Sequence, residues 1–583
     1  MLRLSYTTLS KNKNLSLATL HPTSKQNKFQ CYPKTSLFFQ PHKKPVLVRT
    51  HFSRHSSSYT LSRNPKYKQV DSDDASFFSS VLGKQNVLAA KSIGGDMSIE
   101  DLEKYNSAWL NIYSGSSKIV LFPETTHHVS KIMEYCNSNT IPVVPQGGNS
   151  GVQGASIPVF DEVILNMSKM NKIRSLDTDS GALVCDAGCI LENLENYANE
   201  FGLTMPIDLG AKGSCHIGGN VSTNAGGLRY LKYGSLHGSV LGLEVVLPNG
   251  TVINNLSTLR KDSTGYDIKQ LFIGAEGTLG VVTGVSILAA KKPMNTSVAI
   301  LGLDSYKKVL QAFNLAHKHL SEILLAFEFW DADSMDAVVQ LKGYKYPLDG
   351  QHKFYILIET GGSNADHDQQ KLLLFLEESM ENNTASDGIL AQDISQQKKL
   401  WTFREEIIES MSFRKVVYKY DLSMPISKLY DIVGDTREFL IEKGLHPPHN
   451  LSENKNIEIE EDKTFPILSV NGFGHIGDGN LHLNVVAQLP EKKRGDATLK
   501  DLDESKSKVI GDQDDKVGDI IDKFVYEWIQ KINGSISAEH GIGIVKPNSL
   551  HYSKNDTVIK IMKNIKNMFD PNQIMNPYKV LPK

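Results

Sequence analysis

The chain has 583 residues, 40% hydrophobic and 22% charged, an ordinary globular composition that is long enough for several domains with separate cores. Its 63 Lys+Arg against 65 Asp+Glu leave a net charge of −2, which gives no electrostatic reason to expect a nucleic-acid or anionic-membrane partner, and no apolar stretch reaches the ~18 residues of a membrane span. Cys31, Cys136, Cys185, Cys189 and Cys215 are too few and scattered for a disulfide framework, and none forms a CxxC pair.

The charge is unevenly distributed. Residues 1–70 carry 13 Lys+Arg and no acid, and the remainder is net −15. A basic, acid-free, Ser/Thr-rich start without a continuous apolar run has the composition of an organelle transit peptide, so a leader is expected over 1–70, cleaved between about Thr50 and Val70. A helical lead-in is expected over 71–114, where Ser98 followed by acids (SIEDLEKY) marks a helix start. KIVLFP then reads as a strand, HHVSKIMEYCNSN as a helix and IPVV as a strand, an α/β unit. From Ala182 to Ala290 the density of glycine and β-branched residues predicts short strands with tight turns. Beyond Lys292–Pro293, amphipathic helices (SYKKVLQAFNLAHKHL, KLLLFLEESM) mix with strands such as KFYILIET, which indicates a second domain. Residues 452–464 and 491–517 read as charged surface insertions. Residues 537–583 return to glycine turns and a helix, DTVIKIMKNIKNMFDP.

Glycine clusters suggest where a phosphate-bearing ligand would lie. Residues 145–151 (PQGGNSG) directly follow an apolar strand, where missing side chains let backbone N–H groups approach a ligand. Gly210–Gly213 and Gly218-Gly219-Asn220 lead into Asn224-Ala225-Gly226-Gly227, and Gly274–Gly280 follows LFI. The one GxGxxG, Gly472–Gly477, precedes an alternating strand rather than a helix, so it is not a dinucleotide fingerprint.

A second constellation joins imidazoles and a carboxylate. His475 and His482 stand seven apart around a glycine turn, and Glu539-His540 follow later between small residues. Two His and one Glu can hold zinc or a similar divalent ion with a position open to substrate; the alternative is a set of hydrogen-bonded core histidines. Asp478 is a candidate for orienting a ligand imidazole or for capping its own turn. Arg404 and Lys419 are candidate carboxylate partners, a planar fork and a point charge. His216, His237 and Lys212 lie in the glycine-rich turns and read as structural rather than catalytic.

In their order, the segments 145–151, 210–251 and 260–280 resemble the vanillyl-alcohol-oxidase-type family of FAD-linked oxidoreductases, and the likeness runs from about Ser98 to Lys583 outside the two insertions. The resemblance implies an α+β chain. A FAD-binding domain of the vanillyl-alcohol-oxidase (PCMH) type would span 115–293 and an α+β substrate domain 294–536. A C-terminal segment, 537–583, would pack back on the flavin. It implies FAD contacts from Pro145, Gln146, Gly147, Gly148, Asn149, Ser150, Gly151, Gly210, Gly213, Ser214, Gly218, Gly219, Asn220, Asn224, Gly226, Gly227, Gly277, Gly280 and Asn576. Asn149 stands where members with covalent FAD often carry His, and an amide is not a nucleophile, so FAD is expected to be non-covalent. The segments are most similar to the branch of the family that oxidises D-2-hydroxyglutarate to 2-oxoglutarate in the mitochondrial matrix and passes electrons to electron-transfer flavoprotein. His475, His482 and Glu539 match its metal ligands, with zinc expected. Arg404, Lys419 and Asn484 match substrate contacts, and His540 matches the base that also touches substrate. Ile408 departs from the Thr of close relatives and loses a hydroxyl. D-lactate or glycolate is the alternative substrate, and a zinc hydrolase without a redox step the remote one.

Overall fold

The computed structural model describes residues 2–4, 61–109, 113–448, 465–488 and 516–583. The insertion at 452–464, and that at 491–517 up to residue 515, lie outside the described residues, as does most of the expected leader. Residues 61–70 belong to the fold, because Tyr67 and Val70 are buried, Arg63 pairs with Asp161, and the Tyr67 hydroxyl donates to the Gln573 carbonyl.

The lead-in helix Ile99–Asn106 starts as expected, with Ser98 and Asp101 exchanging side-chain-to-backbone hydrogen bonds across its first turn. The strand–helix–strand unit follows as Ile119–Leu121, Thr126–Ser138 (capped by Thr125) and Val143–Gln146. Its strands lie in a four-stranded sheet, both parallel to Val163–Asn166 between them. A five-stranded antiparallel sheet, 252–255, 240–246, 281–288, 182–186 and 173–176 in spatial order, completes the glycine-rich half. The region 182–290 is not strands alone: Leu191–Asn199 and Ile217–Thr223 are helical, and the second places Gly218, Gly219 and Asn220 in a helical turn.

The second half is built on one antiparallel eight-stranded sheet, in the order 2–4, 387–390, 295–303, 354–362, 324–331, 467–475, 480–487, 416–423. Alternation along its last strands decides what the two faces carry. Tyr418, Tyr420 and Leu422, with Leu481, Leu483 and Val485, point into a core under the helices Tyr306–Leu320, Ala365–Glu381, Asp431–Glu442 and Lys516–Lys531. On the opposite face, Trp330, Phe473, Val417 and Val486 pack under Ala332–Lys342, Ile394–Glu405 and Ile407–Ser412. Residues 471 to 482 form a hairpin, not a strand followed by a helix. His475 pairs with Asn480 across a one-turn 3-10 helix closed by Gly479 at φ 75°.

The C-terminal segment packs back on the glycine-rich half. Ile574 and Met575 join its core, Asn576 N–H donates to the Val143 carbonyl, and Lys566 Nζ reaches the Thr278 carbonyl at 2.7 Å.

Candidate active site

On the face opposite the aromatic core, the sheet register sets polar residues side by side. Asp421 pairs with His482, Lys419 with Asn484, and Glu328 with His475. The segment 537–543 brings Glu539 and His540 to the same place. His475, His482 and His540 then meet around one carboxylate oxygen: Glu539 Oε1 lies 3.8 Å, 3.6 Å and 3.9 Å from their Nε2 atoms. The ring centroids of His475 and His482 are 5.4 Å apart, and those of His482 and His540 5.5 Å.

The opposite ring nitrogens face two buried carboxylates. Glu328 Oε1 is 2.8 Å from His475 Nδ1, and its Oε2 accepts from Arg404 Nε at 3.0 Å with Nη2 2.9 Å away as an ion pair. Asp421 lies 3.8 Å from His482 Nδ1 and 3.7 Å from His540 Nδ1. This arrangement, Nδ1 toward a carboxylate and Nε2 toward a common point, is how metal-ligating histidines are held. Burial pushes the Glu328 carboxyl up, but His475 and Arg404 outweigh it and keep it below the usual range. Burial pulls His475 down, yet Glu328 and then Glu539 raise it to about 9. Burial dominates at His482 and holds that imidazole neutral, the state that binds a metal. Asp421, His482, Glu539 and His540 each offer a donor atom within 4.8 Å of one another, and His475 Nε2 adds a further one 3.8 Å from Glu539 Oε1, a donor set that fits a divalent ion.

Residues 537–543 are gripped from both halves. Asp421 Oδ2 accepts the N–H groups of Ala538, Glu539 and His540 (3.0, 2.9 and 2.8 Å), and Glu276 accepts those of Ile542 and Gly543 (2.7 and 2.8 Å). Gly541 sits at φ 79°, where an added Cβ would lie 2.7 Å from Glu276 Oε1, so only glycine suits that bend. Glu539 Oε2 accepts the Gly227 N–H at 2.8 Å.

These groups border a cavity of about 1060 Å³, ample for a dinucleotide and a small acid together. Gly147, Gly148, Asn149, Ser150, Gly151, Gly210, Gly219, Asn220 and Gly227 line it, as do Arg404, Lys419, His475, His482, Glu539 and His540. The cradle fits a bound flavin nucleotide. A Cβ on Gly148 would sit 1.9 Å from the Ser214 carbonyl oxygen, and the buried His216 Nδ1 and Asn220 Oδ1 on the wall have no partner. Asn149, at φ 52°, spends its amide on the Ser107 carbonyl and the Ser156 hydroxyl.

The other residues expected to touch flavin do not line this cavity. Pro145 packs on Gly277, and the Gln146 amide donates to the Tyr105 and Ser156 carbonyls. Gly213 and Ser214 are exposed, Gly218 packs against Ala187, and Gly280 packs on Val245 and Val246. Asn224 ends a helix in the left-handed region, and Gly226 abuts Glu539. Asn576 is tied to the Ala155 and Glu276 carbonyls. Asn484 is fully buried beneath His482, whose carbonyl takes its Nδ2, while its Oδ1 has no partner. Asp478 caps its own turn through the Asn480 N–H and does not orient an imidazole; burial pushes its carboxyl up to about 7.

Sequence reasoning missed Glu328 and Asp421. Asp421 shares a strand face with Lys419, a period-2 signal visible in VVYKYDLS, whereas Glu328 lies about 150 residues from its imidazole.

Residues 117–255 match the family model described as FAD binding domain, and residues 292–580 that of FAD linked oxidases, C-terminal domain. The chain is 47% identical to mitochondrial D-2-hydroxyglutarate dehydrogenase of Arabidopsis thaliana, over 90% of this chain and 85% of the relative. It is 46% identical to a mitochondrial protein of Schizosaccharomyces pombe provisionally named D-lactate dehydrogenase, over 89% and 92%. The fold is that of p-cresol methylhydroxylase, with TM-score 0.62 at 14% identity over 87% of this chain and 96% of that one.

Proposed function

Because the chain belongs to the FAD-linked oxidase family, we propose that it oxidises D-2-hydroxyglutarate to 2-oxoglutarate, using non-covalent FAD and a divalent cation, preferably zinc, held by His475, His482 and Glu539. One observation carries this reading: three imidazole Nε2 atoms lie 3.6 to 3.9 Å from a single carboxylate oxygen, on a cavity whose other walls are the glycine segments of the FAD-binding half. When bound, the flavin takes a hydride and the cation acidifies the substrate hydroxyl.

The chain's own residues supply the rest. His540, beside Glu539 on the same loop, takes the hydroxyl proton on Nε2, and the Asp421 carboxylate 3.7 Å from Nδ1 stabilises the imidazolium that results. Arg404 shares its charge with Glu328, so it orients a carboxylate without adding a full positive charge. Lys419 is the stronger attraction for a distal carboxylate: among the described residues its ammonium has no hydrogen-bond or ion-pair partner, and burial lowers it to about 8. Asn484 lies under the substrate end with an acceptor to spare. Electron-transfer flavoprotein as acceptor and the mitochondrial matrix as location belong to the proposal, supported by the sequence resemblance and by relatives named mitochondrial.

D-lactate is the second reading. The S. pombe relative's name supports it, and so does Ile408, which presents methyl groups to the cavity. Anaerobic mixing with D-2-hydroxyglutarate, D-lactate and glycolate decides between them, read as bleaching of flavin absorption near ~450 nm before and after a chelator. The proposal expects fastest bleaching with D-2-hydroxyglutarate and its loss on chelation. A tenfold preference for D-lactate, or bleaching indifferent to chelator, overturns it.

A further inference from the structure

Asp421 is a carboxylate that the reaction does not consume, yet it has more partners than any other acid at the site. It rises from the 416–423 strand on the polar face of the sheet and is 2% exposed. Its Oδ2 collects three consecutive backbone N–H groups at 2.8–3.0 Å and the Ser537 hydroxyl at 3.4 Å. Its Oδ1 takes Asn480 Nδ2 at 3.0 Å. Nδ1 of His482 and of His540 face the same carboxylate from either side. Lys546, buried, stands behind it and donates to the Ile536 carbonyl at 2.7 Å.

We infer that Asp421 is the positioning residue for the metal ligand His482 and the base His540 at once: by holding the 538–540 backbone and drawing both Nδ1–H groups toward itself, it leaves both Nε2 lone pairs facing Glu539 Oε1. The physical argument has two parts. A neutral imidazole carries one N–H, and the hydrogen-bond acceptor beside one nitrogen fixes which it is. With Glu539 engaged by a bound cation, the Asp421 charge 3.7–3.8 Å from both Nδ1 atoms favours the N–H on that side, which leaves Nε2 to ligate on His482 and to accept a proton on His540. Separately, three converging N–H donors form a concavity that only an anion fills well. An amide in its place offers one acceptor oxygen and turns an NH2 toward backbone N–H groups or toward the two rings. Asp421→Asn is thus isosteric and still releases either the loop or the imidazoles. Glu328 does the equivalent work for His475 alone, so the two carboxylates divide the three rings between them.

This inference rests on the reading of His475, His482 and Glu539 as metal holders. The experiment compares wild type, Asp421→Asn and Asp421→Glu, each purified with flavin, by zinc stoichiometry, chelator competition, kcat and KM. Asp421→Asn is expected to keep flavin while zinc affinity falls 10- to 100-fold, the range for a lost outer-shell partner. At saturating zinc its kcat is expected to fall at least 100-fold with KM changing less than fivefold, and Asp421→Glu should recover part of both. Zinc affinity and kcat within threefold of wild type in Asp421→Asn overturn the inference, as does a lowered melting temperature with both unchanged. Wild type that binds no divalent metal fails the underlying reading instead. Should Asp421→Asn lose flavin, histidine 15N spectra of the wild-type holoenzyme decide: His482 and His540 both protonated on Nδ1 support the inference, and an Nε2-protonated form of either overturns it.

Discussion

Replacing Glu328 by Gln removes one charge from a buried ion cluster behind the cavity wall. Glu328 is 2% exposed and lies between Arg404 and His475: Arg404 Nε donates to it at 3.0 Å with Nη2 2.9 Å away as an ion pair, and His475 Nδ1 is at 2.8 Å. Hydrogen bonds to charged groups are each worth ~1.5–3 kcal/mol, and breaking one side of a buried pair costs ~3–5 kcal/mol because the partner stays buried and charged. Arg404 is 8% exposed and packed 4.6 Å over the Phe473 ring, so the expected loss is about 4 kcal/mol. At ~2–4 °C per kcal/mol for a domain of this size, the substrate half should melt about 8–16 °C lower. Differential scanning with two probes, intrinsic fluorescence and flavin release, assigns the shift to one half. Glu359→Gln is the control: that carboxylate accepts from the neutral Trp401 Nε1, and about 1 kcal/mol is at stake. Equal shifts for the two variants, or less than 2 °C for Glu328→Gln, would refute the reasoning.

Three further outcomes follow from contacts described above. Gly148→Ala forces a methyl against the Ser214 carbonyl at a nominal 1.9 Å, so the purified protein should hold less than a tenth of the wild-type flavin, read by absorbance ratio. Lys419→Met should raise KM for D-2-hydroxyglutarate at least tenfold and that for D-lactate much less; the wild-type amine binds as the ammonium, so KM for the dicarboxylate should climb as pH rises through about 8 while D-lactate stays flatter. A flat profile for both acids would remove Lys419 from the distal site. Lys566→Met leaves the buried Asp570 without its ammonium and frees the Thr278 and Met575 carbonyls, so flavin release on heating should move down by several degrees; an unchanged release temperature contradicts the C-terminal segment's role in holding the cradle.

Local signals carried much of this architecture. Ser98, Thr125 and Ser305 precede their helices and cap them, because a capping side chain acts over three residues. His475 and His482 meet because a glycine turn and a period-2 strand set both on one face, information held within eight residues. What local reading could not reach is contact across long separations. Asp421 meets residues 538–540 more than a hundred positions away, and nothing in either segment names the other. The glycine clusters divide for a related reason. Gly151 and Gly219 face open space in the cavity, whereas Gly148, Gly218 and Gly280 are small because Ser214, Ala187 and Val245 press on them, and composition reads both cases alike. Arg404 reads as a candidate carboxylate partner because its actual counter-ion, Glu328, sits 76 residues upstream on a sheet strand, out of reach of local pattern.

The loop 537–543 belongs to neither half. Asp421 tethers it from the eight-stranded sheet, while Glu276 and Gly227 tether it from the nucleotide-binding side. Genotype and phenotype therefore part company here: damage at Glu276, in a segment that reads as pure flavin cradle, would surface as a chelation defect, and loading one cofactor would tighten the hold on the other. Neither half could be grafted onto a foreign partner without carrying the matching jaw of this clamp.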